Sequence, residues 1–212
     1  RFESTFADFI GTEFALSCSN GTAALHLALL AGGIEPGDEV IVPSFTWIST
    51  ANAVKYIGAV PVFADVNKET LNLDFNTIRE LITPKTKAII PVHIYGQPAE
   101  MSLLSQYCSD NNLILIEDAA EAHGAKYGDA LVGSIGDMGC FSFFGNKIIT
   151  TGEGGMVTTN NYELYNKMRK FRDHGKSDQD PYWHDVVGYN YRMTNMQAAV
   201  GLAQMERVEI IL

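Results

Sequence analysis

Short, almost wholly apolar runs recur along the chain, separated by longer segments whose apolar residues follow a helical period. The runs at 14–17, 39–42, 60–64, 87–92, 113–116, 140–144 and 156–159 suit strands, several with no polar face at all, as in a sheet covered on both sides. Between them, 2–10, 22–31, 50–57, 76–81, 101–110, 162–171 and 194–208 read as helices. Turn residues punctuate the pattern: Gly11 and Gly32-Gly33 stop two helices, Asp74 caps another, and Pro36-Gly37-Asp38 precedes a strand. Helix 22–31 is apolar nearly all round, which predicts burial, while 194–208 carries a stripe of Met196, Ala199, Val200 and Ala203. Strands alternating with helices of this length predict right-handed crossovers and an α/β fold, a mainly parallel sheet flanked by helices. Residues 133–137 form a turn, and the most polar stretch, 173–180 (DHGKSDQD), reads as a mobile loop within one domain.

Composition narrows the function. With 212 residues, 46% of them hydrophobic, the chain can build one large core. It starts at Arg1 and stops at Leu212 inside a helical pattern, so the expectation is an excerpt of a longer protein, cut at both ends. A net charge of -10 argues against nonspecific nucleic-acid binding, which needs a basic surface. The basic run 167–172 with Lys176 reads as a solvated helix face or a local anion site. Three widely spaced cysteines, Cys18, Cys108 and Cys140, without a CxxC pair fit a reducing compartment and no metal centre. No apolar run reaches about 18 residues, so no membrane span is expected and the location is read as cytoplasmic.

Three segments carry chemistry. The aromatic run 140–144 leads into Gly145, Asn146 and a lone lysine, Lys147, then the turn-rich TTGEGG. An amine at the edge of an apolar wall is poorly hydrated as an ammonium, which favours its neutral, nucleophilic form; the alternative is a lysine that snorkels into water. Upstream, LILI at 113–116 ends in Glu117 and Asp118, where open α/β sheets place ligands, and strand alternation lets only one of the two face a given ligand. A carboxylate there can keep a pyridinium nitrogen protonated, as pyridoxal phosphate requires. The third segment, SNGTAAL at 19–25, is a polar turn opening a helix, suited to an anion. His93, Tyr95, Gly96 and Gln97 follow a strand end and suit either a pocket wall or a hydrogen-bonded loop; His26 reads as a packing residue. No GxGxxG follows a strand, which weakens a dinucleotide-binding reading.

The stretches SNGTAALHLAL, GDEVIVPSFTW, VHIYGQP, IEDAAEAHGA, GDMGCFSFFGNKIITTGEGG and GYNYRMTNMQAA, in that order and spread over nearly the whole chain, resemble the DegT/StrS family of sugar aminotransferases. The resemblance implies a fold-type I enzyme dependent on pyridoxal 5'-phosphate, with a smaller C-terminal domain absent from this chain. It implies that Lys147 holds the cofactor as a Schiff base and moves protons, and that Asp118 meets the ring nitrogen. Trp47 would lie against the ring, Glu121 beside its phenolic oxygen, and Gly21, Thr22, Ser142 and Asn190 on the phosphate. Many relatives have glutamine where this chain has Glu121. The asparagine matching Asn190 reaches the neighbouring subunit in the family, which implies a homodimer with shared sites. His93, Trp183, His184 and Arg192 are candidate substrate contacts; for Arg192 an intrachain ion pair is an equal alternative. The implied reaction passes an amino group from glutamate to a nucleotide-linked keto sugar. FSFFGNK and YWHDVVGYNYRMTN favour a GDP-linked 4-keto-6-deoxy sugar of surface-polysaccharide (O-antigen) biosynthesis, with C3 regiochemistry left open. Two further readings are a sugar 3-dehydratase, a branch that carries histidine at the position of Lys147, and a noncatalytic regulatory homologue.

Overall fold

Alternate residues of each central strand face opposite helical layers, and this two-sided burial sets the architecture. The computed structural model describes residues 1–180 and 182–212. Its elements run α1 (Phe2–Ile10), β1 (Phe14–Cys18), α2 (Gly21–Ala31), β2 (Glu39–Pro43), α3 (Ser49–Tyr56), β3 (Val60–Ala64), α4 (Phe75–Leu81), β4 (Thr86–Ile89), α5 (Met101–Asn111), β5 (Ile114–Asp118), β6 (Lys126–Tyr127), β7 (Ala130–Leu131), β8 (Met138–Ser142), β9 (Gly155–Thr159), α6 (Tyr162–Arg172), α7 (Asn195–Met205) and α8 (Val208–Ile211). Seven strands form one sheet in the order β1-β9-β8-β5-β4-β2-β3. From β3 to β8 the pairs are parallel; β9 is antiparallel to both β8 and β1. Six strands therefore end on the same edge.

On one face Leu16, Val40, Val42, Ile116, Cys140 and Val157 pack under α2, α3 and α6. The residues one step away point the other way. Ala15, Phe141 and Met156 meet α1, α7 and α8, while Ile41, Ile89 and Leu115 meet α4 and α5. The Phe2, Phe6, Phe141 and Phe143 rings form an edge-to-face cluster whose member Phe6 has no exposed surface. Among the described residues no helix is long and apolar enough to cross a membrane.

Three expectations change. The strand predicted at 87–92 leaves the regular ladder at Ile89, because Pro91 has no N–H to continue it. The long helix breaks after Met205, and its predicted stripe is turned outward, with Met196 81% exposed. What it buries instead is Gly201, where a Cβ would stand 2.5 Å from Phe2 Cζ, so α1 and α7 approach through the one residue lacking a side chain. The polar stretch 173–180 is tied down by bridges from Asp173 to Asn190 and Lys176 to His184 and by ion pairs of Asp178 with Arg169 and Lys170. The β6–β7 hairpin escaped the sequence reading, although its Gly128-Asp129 turn is a hairpin signal.

Phe6→Ala should lower the unfolding free energy by about 3–5 kcal/mol. Phe63→Ala, on the exposed side of edge strand β3, should cost less than about 1 kcal/mol. Urea denaturation of both variants checks this; similar costs would mean that the phenylalanine cluster does not hold α1 to the sheet.

Candidate active site

At the carboxyl edge of the sheet, β1, β2, β5 and β8 deliver their ends to one cleft of about 800 Å³. Asp118 closes β5 with its side chain toward this cleft and only 5% exposed. Thr50, in the first turn of α3, donates its hydroxyl to Asp118 Oδ2 at 2.8 Å, and Ala120 N–H donates to Oδ1 at 3.2 Å. Burial nevertheless pushes the Asp118 carboxyl above its ordinary range; those two hydrogen bonds and the charge of Lys147 only offset it. Glu117 points to the opposite side, as strand alternation requires. It is fully buried and accepts from Gly133 N (2.8 Å), Ile135 N (2.8 Å), Gly136 N (2.7 Å) and His93 Nε2 (3.0 Å).

Lys147 sits in the turn after β8 and reaches into the cleft, where its Nζ donates to Glu121 Oε1 at 3.2 Å. The other oxygen of Glu121 accepts from Tyr95 N at 3.3 Å. Tyr95 adopts a left-handed conformation (φ 50°, ψ 28°) and leaves its ring 78% exposed at the mouth. A left-handed non-glycine residue at a cleft is a form of local strain commonly found at functional sites. The carboxylate of Glu121 thus has two donors. Beneath it, His123 packs among Phe6, Phe141 and Phe143; burial and then the Lys147 charge push its imidazole down to about 3, so it stays neutral.

The amino end of α2 faces the same cleft. Asn20 caps it by accepting from Ala23 N at 2.8 Å, and Ala24 N–H goes to the Asn20 carbonyl, which leaves the Gly21 and Thr22 N–H groups free for an anion. Ser142, at the end of β8, lies against Gly21 so closely that a Cβ at Gly21 would be 2.9 Å from Ser142 Cβ. Trp47, 78% exposed, lines the cleft beyond the end of β2 with Phe45 and Thr46.

Lys147, Asp118, Glu121, Gly21, Thr22, Ser142 and Trp47 are therefore brought together. The other candidates are not. His93, read as a pocket-wall residue, is fully buried with both ring nitrogens taken: Ala99 N–H donates to Nδ1 at 3.1 Å, so Nε2 carries the proton donated to Glu117. Arg192 pairs with Asp173 at 2.8 Å, the alternative left open by the sequence. Trp183, His184 and Asn190 are exposed and outside this cleft. The sequence reading missed Thr50, whose side chain gives no signal until α3 is docked. It also missed Tyr191, which lines the cleft and meets the buried His26 Nδ1 at 3.1 Å.

Fold and cleft together are those of the fold-type I transferases. The chain belongs to the DegT/DnrJ/EryC1/StrS aminotransferase family, whose model matches residues 1–212. It is 58% identical over 209 residues to the GDP-perosamine synthase of Caulobacter vibrioides, covering 99% of this chain and 56% of that protein, so it spans little more than half of that relative's length. Among solved structures, the aminotransferase from Psychrobacter cryohalolentis superposes with a TM-score of 0.94 at 44% identity, covering 97% of this chain and 55% of that one. NtdA from Bacillus subtilis, solved with bound cofactor PMP, gives a TM-score of 0.92 at 35% identity over 99% of this chain and 48% of that one.

Because folded Asp118 holds its proton more tightly than an unfolded aspartate, it lowers stability as pH rises from about 3.8 through its raised value. Asp118→Asn can still accept from Thr50 and lacks this penalty. The cofactor-free variant should gain on the parent by up to ~1.4 kcal/mol per pH unit across that window and be at least as stable at neutral pH. Denaturant titrations between pH 4 and 8 measure the difference; a parent that gains on the variant as pH rises would contradict the burial argument.

Proposed function

We propose that this chain forms the cofactor-binding part of a pyridoxal 5'-phosphate-dependent aminotransferase that passes the amino group of glutamate to C4 of a nucleotide-linked 4-keto-6-deoxy sugar, as the name of its GDP-perosamine synthase relative suggests. The observation that carries this reading is the convergence of a primary amine, a buried carboxylate and an open helix amino end on one cleft. That set fits the cofactor. The free N–H groups of Gly21 and Thr22, with the Ser142 hydroxyl, suit a phosphate, and the bare Cα of Gly21 leaves them accessible. Trp47 offers a flat indole to a ring face. Asp118 suits the pyridine nitrogen and Lys147 the aldehyde carbon.

When bound, pyridoxal phosphate supplies an electron sink for the pair left at the donor's α-carbon and stores the amino group between the two halves of the reaction. Asp118, shielded from water, holds a proton at the ring nitrogen. Lys147 would anchor the cofactor, and its Nζ is the group placed to carry a proton between the donor's α-carbon and the cofactor. Glu121 keeps the free Nζ within reach and, through Tyr95 N–H, fixes the cleft mouth. A lysine at 147 disfavours the dehydratase alternative.

Asn190, exposed outside its own cleft, is assigned to the phosphate of a second subunit, with Trp183 and His184 beside it, so the working unit is a homodimer with shared sites. A smaller C-terminal domain is assigned to the part of the relatives that this chain does not span. Three buried free cysteines suit a reducing cytoplasm.

Amino transfer from glutamate to a panel of GDP- and UDP-linked 4-keto and 3-keto sugars tests the reading. The GDP-linked 4-keto-6-deoxy sugar should be the preferred acceptor, and Lys147→Ala should lose at least about 10³-fold in rate while still binding the cofactor noncovalently. Full activity in that variant would refute the role of Lys147, and amination of only 3-keto sugars would refute the assigned regiochemistry.

A further inference from the structure

We propose that His93 and Glu117 are positioning residues that hold Asp118 at the angle the cleft requires. This rests on the reading of Asp118 as the partner of the ring nitrogen. On the β8 side, the end of β5 is held by regular pairing of Glu117 with Gly139 and Asp118 with Cys140. On the other side the regular β4–β5 ladder stops at Ile89 with Leu115, Pro91 interrupts it, and pairing resumes only as a single parallel bridge of Val92 with Asp118. Among the described residues that bridge consists of two backbone bonds, Asp118 N to Pro91 O at 2.9 Å and His93 N to Asp118 O at 3.1 Å.

His93 reinforces them with its side chain. Its backbone N–H holds the Asp118 carbonyl while its Nε2–H holds Glu117, so one residue grips both members of the carboxylate pair from the same segment. Its Nδ1 accepts from Ala99 N, which closes the 93–99 loop that carries Ile94 and Tyr95 along the cleft wall. Glu117 in turn fastens this segment to the 133–136 turn through three N–H groups. Both side chains are fully buried, on the side of the strand away from the cleft, and touch nothing that reacts. With the imidazole bonds gone, the end of β5 would keep its β8 partner and the two backbone bonds but lose the side-chain brace on that side, loosening the hold on Asp118.

The test is a set of full-length holoenzyme variants. His93→Leu removes both side-chain bonds; His93→Gln can restore both, since an amide offers a donor and an acceptor. His93→Leu should lower kcat about 10- to 100-fold, the size of effect that a misplaced catalytic group produces, with the KM for glutamate changed less than about twofold. His93→Gln should recover most of the loss. In an Asp118→Asn background His93→Leu should add almost nothing, because both changes act through one interaction. Amide hydrogen exchange at Asp118, with and without cofactor, should speed up in His93→Leu and return toward the parent in His93→Gln. Unchanged kcat in a folded His93→Leu, or additive losses in the double variant, would overturn the proposal. Should His93→Leu fail to fold, Glu117→Gln, which keeps an acceptor for the turn but weakens the grip on His93, takes its place with the same outcomes required. An Asp118→Asn enzyme of normal kcat would overturn the underlying reading of Asp118 itself.

Discussion

Two neighbouring carboxylates at the end of β5 face opposite ways, and most of the molecule can be described by what each does. Glu117 points into the protein and gathers four N–H donors from two other segments of chain. A buried carboxylate would be costly without such partners, and here it converts that cost into a fastening between the strand, the 93–99 loop and the turn before β8. Asp118 points into the cleft with only a hydroxyl and one N–H for company. The first is satisfied and silent, the second under-satisfied and available. Protein stability is spent at Asp118 to keep a poorly solvated carboxylate where a ligand's N–H could complete it, a division expected where burial and hydrogen bonding pull neighbouring groups apart.

The cleft follows a rule of open α/β sheets, which place ligands beyond the carboxyl ends of the strands. The free N–H groups of α2 offer an anion site at one end, Lys147 and Glu121 balance each other in the middle, and Asp118 lies at the bottom. The strongly acidic surface of the chain therefore says little about the site, whose polarity is set locally by one helix terminus and one lysine. The close approach of Gly21 to Ser142 has a counterpart where Asn20 O would meet a Cβ on Gly155, so β8 and β9 close on the turn before α2 through glycines.

The same chain supplies little of its rim. Trp47, Tyr95, Phe144 and Phe45 leave much of their surface open around the cleft, while Asn190, Trp183 and His184 lie elsewhere. An open aromatic rim of this kind has the composition of a surface that becomes covered, which is the basis on which shared sites are proposed.

What the sequence determined was everything that depends on short-range pattern. Apolar runs at period two and helices at period 3.6 located nearly every element, because burial on both faces of a parallel sheet leaves no ambiguity about which residues are inside. The lysine, the strand-end carboxylates and the helix-opening turn were also legible, since each is a local chemical feature at a fixed place in its element. The choice between Glu117 and Asp118 was not legible in the pattern: alternation says only that they differ, the family resemblance selected Asp118, and the docked 133–136 turn and α3 show the physical reason. For His93, offered as a substrate contact with a hydrogen-bonded loop as the alternative, it is the alternative that holds, because a histidine at a strand end looks alike whether it faces a cleft or the core. The exposed stripe of α7 was decided by Gly201 against Phe2, a contact between residues almost the full length of the chain apart. Pattern fixes which residues are apolar or polar along an element, but the direction in which a polar side chain finds its partners is settled only when distant segments pack.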